Sequence, residues 1–373
     1  MFTVIRGGEV YGPQAMGKGD VLVAGRHIAR VGDVDLRALE ATGLGVEVVE
    51  AEGCLVLPGF IDPHQHILGA GGEAGPQTRM PEIVLGDILG AGITTVVGIL
   101  GTDGTTRHLT SLLAKARALE IGDQESGIGD QETKGGVTTW IYTGNFQVPT
   151  VTFTGSVRDD VVVIDKVIGV GEIAIADYRS SKPGVGELAR IVSEAMVGGM
   201  MAGKAGVTHF HTGAGKEKLG ILHRMLDEYE EIPARVIHAT HITRSKALIE
   251  DAVRLAKRGA YVDMDTIDDD FAESYLHYRE SGGPLDKLTV SSDGGAGTSK
   301  GVHTLWDAFV RGVRDFRLGV EEILPCWTSN TAAVLKLGSK GRIGEGRDGD
   351  LVVVKKNDLA IRAVFSMGRR VVG

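Results

Sequence analysis

Residues 58–66 read Pro-Gly-Phe-Ile-Asp-Pro-His-Gln-His, a short apolar run that ends in two histidines two positions apart. Side chains at this spacing in a β-strand point to the same face, so the imidazoles of His64 and His66 can bind one metal ion. Histidines two apart are also found in surface loops, and the pair alone does not distinguish the two possibilities.

Further metal-ligand candidates end other short runs that are rich in β-branched residues. The runs 206–211, 235–241 and 288–293 end in His211, His241 and Asp293. Their order and positions predict one site rather than scattered residues. His209 alternates with His211 and would also point inward, and we expect it to be a core histidine or a neighbour of a ligand rather than a ligand.

The middle of the chain alternates short apolar runs with amphipathic stretches, as β-strand and α-helix units around a parallel sheet do. The candidate strands are 57–62, 93–99, 138–144, 172–176, 206–211, 235–241, 260–265 and 288–293. The candidate helices are 81–90, 107–119, 186–202, 216–230, 245–258 and 302–317. Eight such units predict an α/β fold with a closed, TIM-like (β/α)8 barrel. The ligand candidates fall at the carboxyl ends of their strands, where such barrels have their active sites.

Both ends of the chain have a different pattern, in which short alternating strands are separated by glycine-rich turns. Such strands are predicted at 2–5, 20–23, 46–49, 349–354 and 363–366. We therefore expect residues 1–56 and 337–373 to form one small β-sandwich domain outside a barrel of residues 57–336.

The composition excludes several classes of protein. The chain has 373 residues, 42% of them hydrophobic, and a formal net charge of −9, which argues against a nucleic-acid or anionic-membrane partner. Its two cysteines are too few for a disulfide framework. No segment is long and apolar enough to span a bilayer, and the N-terminus lacks a signal-peptide pattern, so we predict a cytoplasmic protein. The near-duplication within 121–133 predicts an exposed loop, with a contact to another subunit as the alternative.

The His-x-His after the first barrel strand, single histidines at the fifth and sixth, and aspartate at the eighth resemble the amidohydrolase superfamily. Residues 341–350 look like that superfamily's return to its small β-domain. Six further segments of the chain resemble the isoaspartyl dipeptidases. These segments are 71–76, 100–103, 154–156, 177–180, 240–244 and 291–294. The resemblance covers nearly the whole chain and implies cleavage of the amide bond of β-aspartyl (isoaspartyl) dipeptides. It also implies a homo-oligomer, with an octamer as the candidate size.

The resemblance also implies two divalent metal ions as cofactors. His64 and His66 would hold one ion, and His211 and His241 the other. Asp293 would contact the first ion and accept the proton of a hydroxide that bridges both. Imidazole and carboxylate ligands suit zinc first, although manganese, cobalt and iron bind the same groups.

The fourth strand departs from the family pattern, in which a carboxylated lysine bridges the metals. The matching position here is Glu172. Our hypothesis is that Glu172 bridges the ions directly and that carbon dioxide is not needed for assembly. Carboxylation of Lys166 is the competing possibility.

Four positions match the residues with which the family binds its dipeptide. Glu73 would bind the free α-amino group, Arg179 and Arg244 would bind carboxylates, and Thr102 would add a hydrogen bond. A guanidinium matches a carboxylate with a planar set of donors, so two arginines imply a substrate with more than one acid group. Structural pairing of each arginine with an aspartate is the alternative.

Two further departures leave the substrate open. Phe146 replaces a tyrosine that helps to polarise the scissile carbonyl, so that either Tyr142 or Tyr178 substitutes or the substrate differs. The loop 294–297 after Asp293 also lacks a serine of the family. Alternative functions are hydrolysis of a related amide, such as an N-acyl amino acid or a cyclic amide, and a non-catalytic binding protein. The retained ligands argue against the second.

Overall fold

The computed structural model describes residues 2–122, 135–267, 270–296 and 301–373. Most of the repeated segment 121–133, and Gly297 of the loop after Asp293, lie outside these residues. Two eight-stranded sheets organise the described residues, one built from both chain ends and one from the middle of the chain. No helix among the described residues is long and apolar enough to cross a membrane.

The N-terminal part of the chain supplies five strands of the first sheet. They are β1 (Phe2–Tyr11), β2 (Ala15–Ala24), β3 (His27–Gly32), β4 (Val46–Glu50) and β5 (Cys54–Pro58), with helix α1 (Leu36–Glu40) before β4. β1 is central, because it pairs antiparallel with β2 and parallel with both β4 and β5.

The middle of the chain forms the second sheet, a parallel barrel. Its strands are β6 (Phe60–Gln65), β7 (Ile93–Gly98), β8 (Thr138–Thr143), β9 (Val167–Ile175), β10 (Val207–Thr212), β11 (Ile237–Thr240), β12 (Tyr261–Asp265) and β13 (Leu288–Ser291). They follow one another in chain order. A bridge between Gln65 and Gly294 closes the sheet, and the His66 amide donates to the Gly294 carbonyl over 2.8 Å. The predicted (β/α)8 barrel is confirmed.

A helix follows each of the eight barrel strands, and these helices cover the outer face of the barrel. They are α2 (Leu85–Gly90), α3 (Leu109–Ile121), α4 (Val157–Val163), α5 (Val185–Ala202), α6 (Gly220–Glu228), α7 (Lys246–Lys257), α8 (Phe271–Glu280), α9 (Thr304–Arg314), α10 (Val320–Trp327) and α11 (Ser329–Val334). Each predicted helix overlaps one of them. Local signals set their ends, as at α7, where the Ser245 hydroxyl accepts a hydrogen bond from the Leu248 amide. Helices α4, α8, α10 and α11 were not predicted. With only seven residues, α4 is too short to show a helical period.

The chain then returns to the first sheet through β14 (Leu351–Lys355), β15 (Ile361–Ser366) and β16 (Arg369–Val372). β14 pairs antiparallel with β5, so both chain ends lie in one sheet, as expected. The predicted strand 57–62 is in fact two strands, divided at Gly59. A Cβ atom at Gly59 would lie 2.1 Å from the Thr94 hydroxyl oxygen, so only glycine lets the chain pass so closely from one sheet to the other.

Candidate active site

The predicted metal ligands come together in one buried cluster at the carboxyl ends of the barrel strands. They are His64, His66, Glu172, His211, His241 and Asp293, and each is at most 7% exposed. Their ligand atoms form three overlapping groups, and within each group all atoms lie within 4.8 Å of one another. One strand carries at most two of these residues, so the site depends on closure of the whole barrel.

Glu172 lies between two pairs of histidines. Its Oε1 atom is 2.6 Å from His211 Nδ1 and 3.3 Å from His241 Nε2. Its Oε2 atom is 3.5 Å from His64 Nε2 and 3.8 Å from His66 Nε2. Each carboxylate oxygen thus faces one histidine pair, which is the geometry that a bridging carboxylate needs.

Lys166, the competing candidate for the bridge, lies at the opposite end of its strand. It immediately precedes β9, whereas Glu172 lies near the carboxyl end of that strand. The Lys166 ammonium pairs with Glu120 and lies 5.9 Å from the centre of the Trp140 ring. Its side chain is therefore committed to contacts outside the ligand cluster.

Asp293 completes the histidine pair of β6. Its Oδ1 atom is 3.2 Å from both His64 Nε2 and His66 Nε2. Asp293 and His241 both have a left-handed backbone, with φ of 48° and 62°. Such conformations cost about 1–3 kcal/mol in residues other than glycine and are concentrated at functional sites. Here they aim the two side chains into the cluster just beyond the ends of their strands.

The electrostatics of the cluster call for positive charge. Burial opposes protonation of His64, but the Glu172 and Asp293 carboxylates raise its pKa to about 9. Burial also opposes protonation of His241, but Asp265 and Glu172 raise its pKa to about 10. The pKa of Asp293 is about 2, because the neighbouring imidazoles outweigh the effect of burial. The buried carboxylates therefore favour positive charge on the groups beside them, and bound divalent ions would supply that positive charge.

The cluster fits divalent metal ions by a second criterion. Glu172 Oε2 and Asp293 Oδ1 are buried and accept no hydrogen bond from any described residue. Leaving a buried carboxylate oxygen without a partner is costly, and coordination to a metal removes that cost. Imidazole nitrogen and carboxylate oxygen are ligands that zinc, manganese, cobalt and iron share.

Two aspartates that were not predicted as site residues, Asp177 and Asp265, lie within hydrogen-bond distance of histidines in the cluster. His211 Nε2 lies 3.1 Å from Asp177 Oδ2, and His241 Nδ1 lies 2.8 Å from Asp265 Oδ2. Histidines that bind metals commonly donate their other N–H to a carboxylate, which fixes the tautomer and the ring orientation. Asp265 ends β12 just as the ligands end their strands, and this position is the sequence signal that could have revealed it.

Arg179 and Arg244 lie close to His211, and Glu73 contacts Arg179. The Arg179 guanidinium donates to both oxygens of Asp177, with Nε and Nη2 each at 3.0 Å, and its Nη1 atom lies 3.2 Å from Glu73 Oε1. Arg244 Nη2 lies 3.4 Å from His211 Nε2. The alternative expected for the arginines, pairing with an aspartate, is thus present as well, since Asp177 orients Arg179.

Two cavities adjoin these residues. One of about 760 Å³ is lined by Asp177, Tyr178, Arg179 and Arg244 together with neighbouring loop residues. Another of about 590 Å³ is lined by residues that include Glu73 and Thr102, and the Thr102 hydroxyl is buried with no hydrogen-bond partner among the described residues. The predicted substrate-binding residues therefore border space large enough for a small ligand.

Tyr142 and Tyr178, the two candidate replacements for the missing tyrosine, lie in different surroundings. Phe146 is buried, and its ring centre lies 4.4 Å from that of His211 and 5.0 Å from the Arg179 guanidinium carbon. Tyr142 is fully buried and stacks on His209, with ring centres 5.2 Å apart. Tyr178 is 84% exposed. Only Tyr178 of the two lines the cavity that Arg179 shares.

Two glycines of the loop that lacks the family's serine, Gly294 and Gly295, are closely packed. A Cβ atom at Gly294 would lie 2.5 Å from a methyl group of Val302. A Cβ atom at Gly295 would lie 2.7 Å from the His66 carbonyl oxygen, and Gly295 also has a left-handed backbone with φ of 85°. These two positions therefore leave no room for a side chain, and Gly295 packs directly against the backbone of His66.

Comparison with solved structures finds a match over the full chain. The β-aspartyl dipeptidase of the thermophilic, keratin-degrading Fervidobacterium islandicum AW-1 is 40% identical, with a TM-score of 0.91, and the alignment covers 100% of this chain and 97% of that one. A second structure of that enzyme, in complex with a β-Asp-Leu dipeptide, matches with a TM-score of 0.89. Enamidase, described as a member of the amidohydrolase superfamily, has the same fold at 16% identity and a TM-score of 0.66.

Matches among curated proteins are partial. Dihydroorotase of Clostridium acetobutylicum is 29% identical over 138 residues, which are 34% of this chain and 30% of that protein. The chain thus matches about a third of the length of that relative. No protein-family model matches the chain. The full-length match at 40% identity shows that this chain belongs to the β-aspartyl dipeptidase family of the amidohydrolase superfamily.

Proposed function

We propose that the protein is a metal-dependent hydrolase that cleaves the amide bond of β-aspartyl dipeptides. The observation that carries the proposal is the 40% identity, over nearly all of both chains, to a dipeptidase whose structure holds β-Asp-Leu. The buried cluster of histidines and carboxylates supports it independently, because its atoms fit the ligand set of a metal centre.

The metal centre holds two divalent ions in this proposal, with zinc as the first candidate. His64, His66 and Asp293 would hold one ion, His211 and His241 would hold the other, and Glu172 would bridge them. The placement of each Glu172 oxygen opposite one histidine pair supports the bridge. When bound, such ions activate a water molecule for attack and polarise the carbonyl that is attacked.

Asp293 moves the proton of the reaction. Its carboxylate faces the cluster, with Oδ1 3.2 Å from His64 Nε2, and this position supports transfer of a proton from the attacking water to Asp293. The same carboxyl group then delivers this proton to the nitrogen of the leaving amino acid. Without that transfer the amine would leave as an anion, which is a poor leaving group at neutral pH.

Three charged residues bind the dipeptide and orient its scissile bond. Glu73 binds the free α-amino group, and Arg179 and Arg244 bind carboxylates. The contacts of Asp177 with both sides of the Arg179 guanidinium fix the direction in which its remaining donors point. Thr102 adds a hydrogen bond, since its buried hydroxyl has no partner among the described residues.

A related amide, such as an N-acyl amino acid or a cyclic amide, is the second candidate substrate. Phe146 and the glycine-rich loop favour it, because they remove two polar groups with which the family contacts its dipeptide. A release assay with β-Asp-Leu and α-Asp-Leu distinguishes the two functions. We expect free leucine from the β-linked peptide alone. A metal-loaded protein that releases leucine from neither peptide would rule out the dipeptidase function.

We further propose that the protein is a homo-oligomer. Several large apolar side chains are exposed, among them Val163, Met200 and Met201 at the ends of α4 and α5. Light scattering coupled to gel filtration measures the subunit number, and a monomer at micromolar concentration would contradict the proposal. The cytoplasmic location stays a prediction.

A further inference from the structure

A line of buried imidazoles connects His64 to the interior of the barrel. His64 Nδ1 lies 3.1 Å from His209 Nε2, and His209 Nδ1 lies 3.0 Å from His238 Nδ1. All three rings are fully buried. The register of β10 and β11 places His209 directly beside His238. The proposed mechanism uses neither of these two histidines.

The line ends on a buried carboxylate. His238 Nε2 lies 2.8 Å from the Thr289 hydroxyl oxygen, and that hydroxyl lies 2.6 Å from Asp263 Oδ1. The other oxygen of Asp263 accepts hydrogen bonds from the hydroxyls of Thr240 and Ser291. Both oxygens of the Asp263 carboxylate thus accept from hydroxyl groups, so Asp263 is the fixed acceptor of the network.

Asp263 sets the direction of every bond in this line. An ionised carboxylate only accepts, so the Thr289 hydroxyl donates to it and in turn accepts from His238 Nε2–H. A neutral imidazole has one donor and one acceptor, and His238 Nδ1 must therefore accept from His209 Nδ1–H. By the same rule, His209 Nε2 accepts from His64 Nδ1–H. Full burial of His209 and His238 disfavours a charge on either ring, because the charge would lose its hydration.

We infer that His209, His238 and Thr289 are positioning residues that keep the proton of His64 on Nδ1. The Nε2 lone pair of His64 is then free to bind a metal, and Nε2 is the atom that lies 3.2 Å from Asp293 Oδ1. With the opposite direction of bonding, Nε2 would carry the proton and could not bind a metal. The inference rests on the metal site of the proposed function.

Plain core packing is the competing explanation. His209 stacks on Tyr142 with an angle of 6° between the rings, and such contacts alone could account for a buried histidine. Packing and hydrogen-bond direction differ in what they require of Thr289. Packing needs only its volume, which valine preserves, whereas the line of hydrogen bonds needs its hydroxyl, which serine preserves.

Zinc affinity of the full-length, metal-free protein separates the two explanations. We would compare T289V with T289S and with a matched control, T95V, by competition for zinc against a chromophoric chelator. Thr95 is also fully buried on a barrel strand, and its hydroxyl has no hydrogen-bond partner among the described residues. We expect T289V to weaken one zinc equivalent by about 10- to 100-fold, with T289S and T95V close to the wild type.

Two results would overturn the inference. One is a zinc curve of T289V that matches that of T95V. The other is equal weakening of both zinc equivalents together with a lower melting temperature of the metal-free protein, which indicates a structural role. If the wild type cleaves β-Asp-Leu and T289V binds zinc normally, the inference fails while the proposed function stands. A wild-type protein that binds no zinc would overturn both.

A measurement on the wild type covers the case in which T289V does not fold. Nitrogen-15 NMR of the zinc-loaded protein with labelled histidines reports which ring nitrogen carries the proton. We expect protons on Nδ1 of His64, Nδ1 of His209 and Nε2 of His238. A proton on Nδ1 of His238 would reverse the direction of the line and refute the inference.

Discussion

Replacing Asp177 with asparagine tests how the site orients its substrate-binding arginine. Asp177 Oδ2 accepts from Arg179 Nη2 at 3.0 Å and lies 3.1 Å from His211 Nε2. Its Oδ1 accepts from Arg179 Nε at 3.0 Å and from the Arg179 amide at 2.8 Å. Asparagine has one oxygen and one NH2 group, so whichever way it turns, an NH2 group faces donors and at least one bond to Arg179 or His211 is lost.

The expected loss follows from the number of bonds. A hydrogen bond to a charged group contributes about 1.5–3 kcal/mol, and each 1.36 kcal/mol is a tenfold change in rate. We therefore expect D177N to lower kcat/KM for β-Asp-Leu by about 10- to 150-fold. The loss should come mainly through KM if Arg179 binds the substrate carboxylate. Steady-state kinetics of zinc-loaded protein, with metal content measured on the same samples, gives both values.

Asp251 provides a matched control for this experiment. It is also a buried aspartate, and it accepts from Arg254 at 2.7 Å and from the Leu219 amide at 3.0 Å and lies 3.1 Å from His223 Nε2. Its place on α7 is outside the ligand cluster. D251N should therefore keep the wild-type kcat/KM. A kcat/KM of D177N within twofold of the wild-type value, or an equal loss in D251N, would show that Asp177 does not orient Arg179 for substrate binding.

Two further substitutions, and the stability of the D251N control, have outcomes that the structure predicts. G295A should destabilise the protein by about 1–3 kcal/mol and weaken zinc binding, because residue 295 has a left-handed backbone and its new Cβ atom would clash with the His66 carbonyl oxygen. Melting curves with and without zinc measure both effects. R107M should raise the KM for β-Asp-Leu with little change in metal content, because the buried Arg107 donates to three carbonyl oxygens in the loop that carries Glu73. A KM of R107M equal to that of the wild type would contradict this prediction. D251N should lower the melting temperature at neutral pH, and this deficit should shrink as the pH falls below about 4. Burial opposes ionisation of Asp251, but its hydrogen bonds and neighbouring cations lower its pKa, so its stabilisation is present above the unfolded value and disappears in acid. A deficit that is constant from pH 7 to pH 3 would contradict it.

The strand pattern of the sequence predicted the barrel and five of the six residues of the buried cluster. In a parallel barrel the strands have their carboxyl ends on one face, so residues such as His211 and Asp293 can be assigned to the same site from strand ends alone. The pattern of residues alone does not identify Glu172, because a single glutamate within an apolar run has no characteristic spacing to other metal ligands. It was found only by counting back from the family segment at 177–180.

Other features could not be predicted because they depend on register and contact across the barrel. No turn sets the pairing of parallel strands, so the sequence does not show that His209 lies beside His238, or Asp263 beside Thr289. The division at Gly59 was missed for a different reason. An apolar run that passes from one sheet into another has no break in its hydrophobic pattern.

Metal content is the decisive measurement for Glu172 as the bridge. We expect about two zinc equivalents per chain in protein that is expressed, purified and reconstituted without added bicarbonate, and fewer in E172Q, because an amide cannot bridge two cations as a carboxylate does. Elemental analysis of both proteins gives the answer. Two equivalents in E172Q, or wild-type loading that requires bicarbonate and carboxylates Lys166, would contradict Glu172 as the bridge.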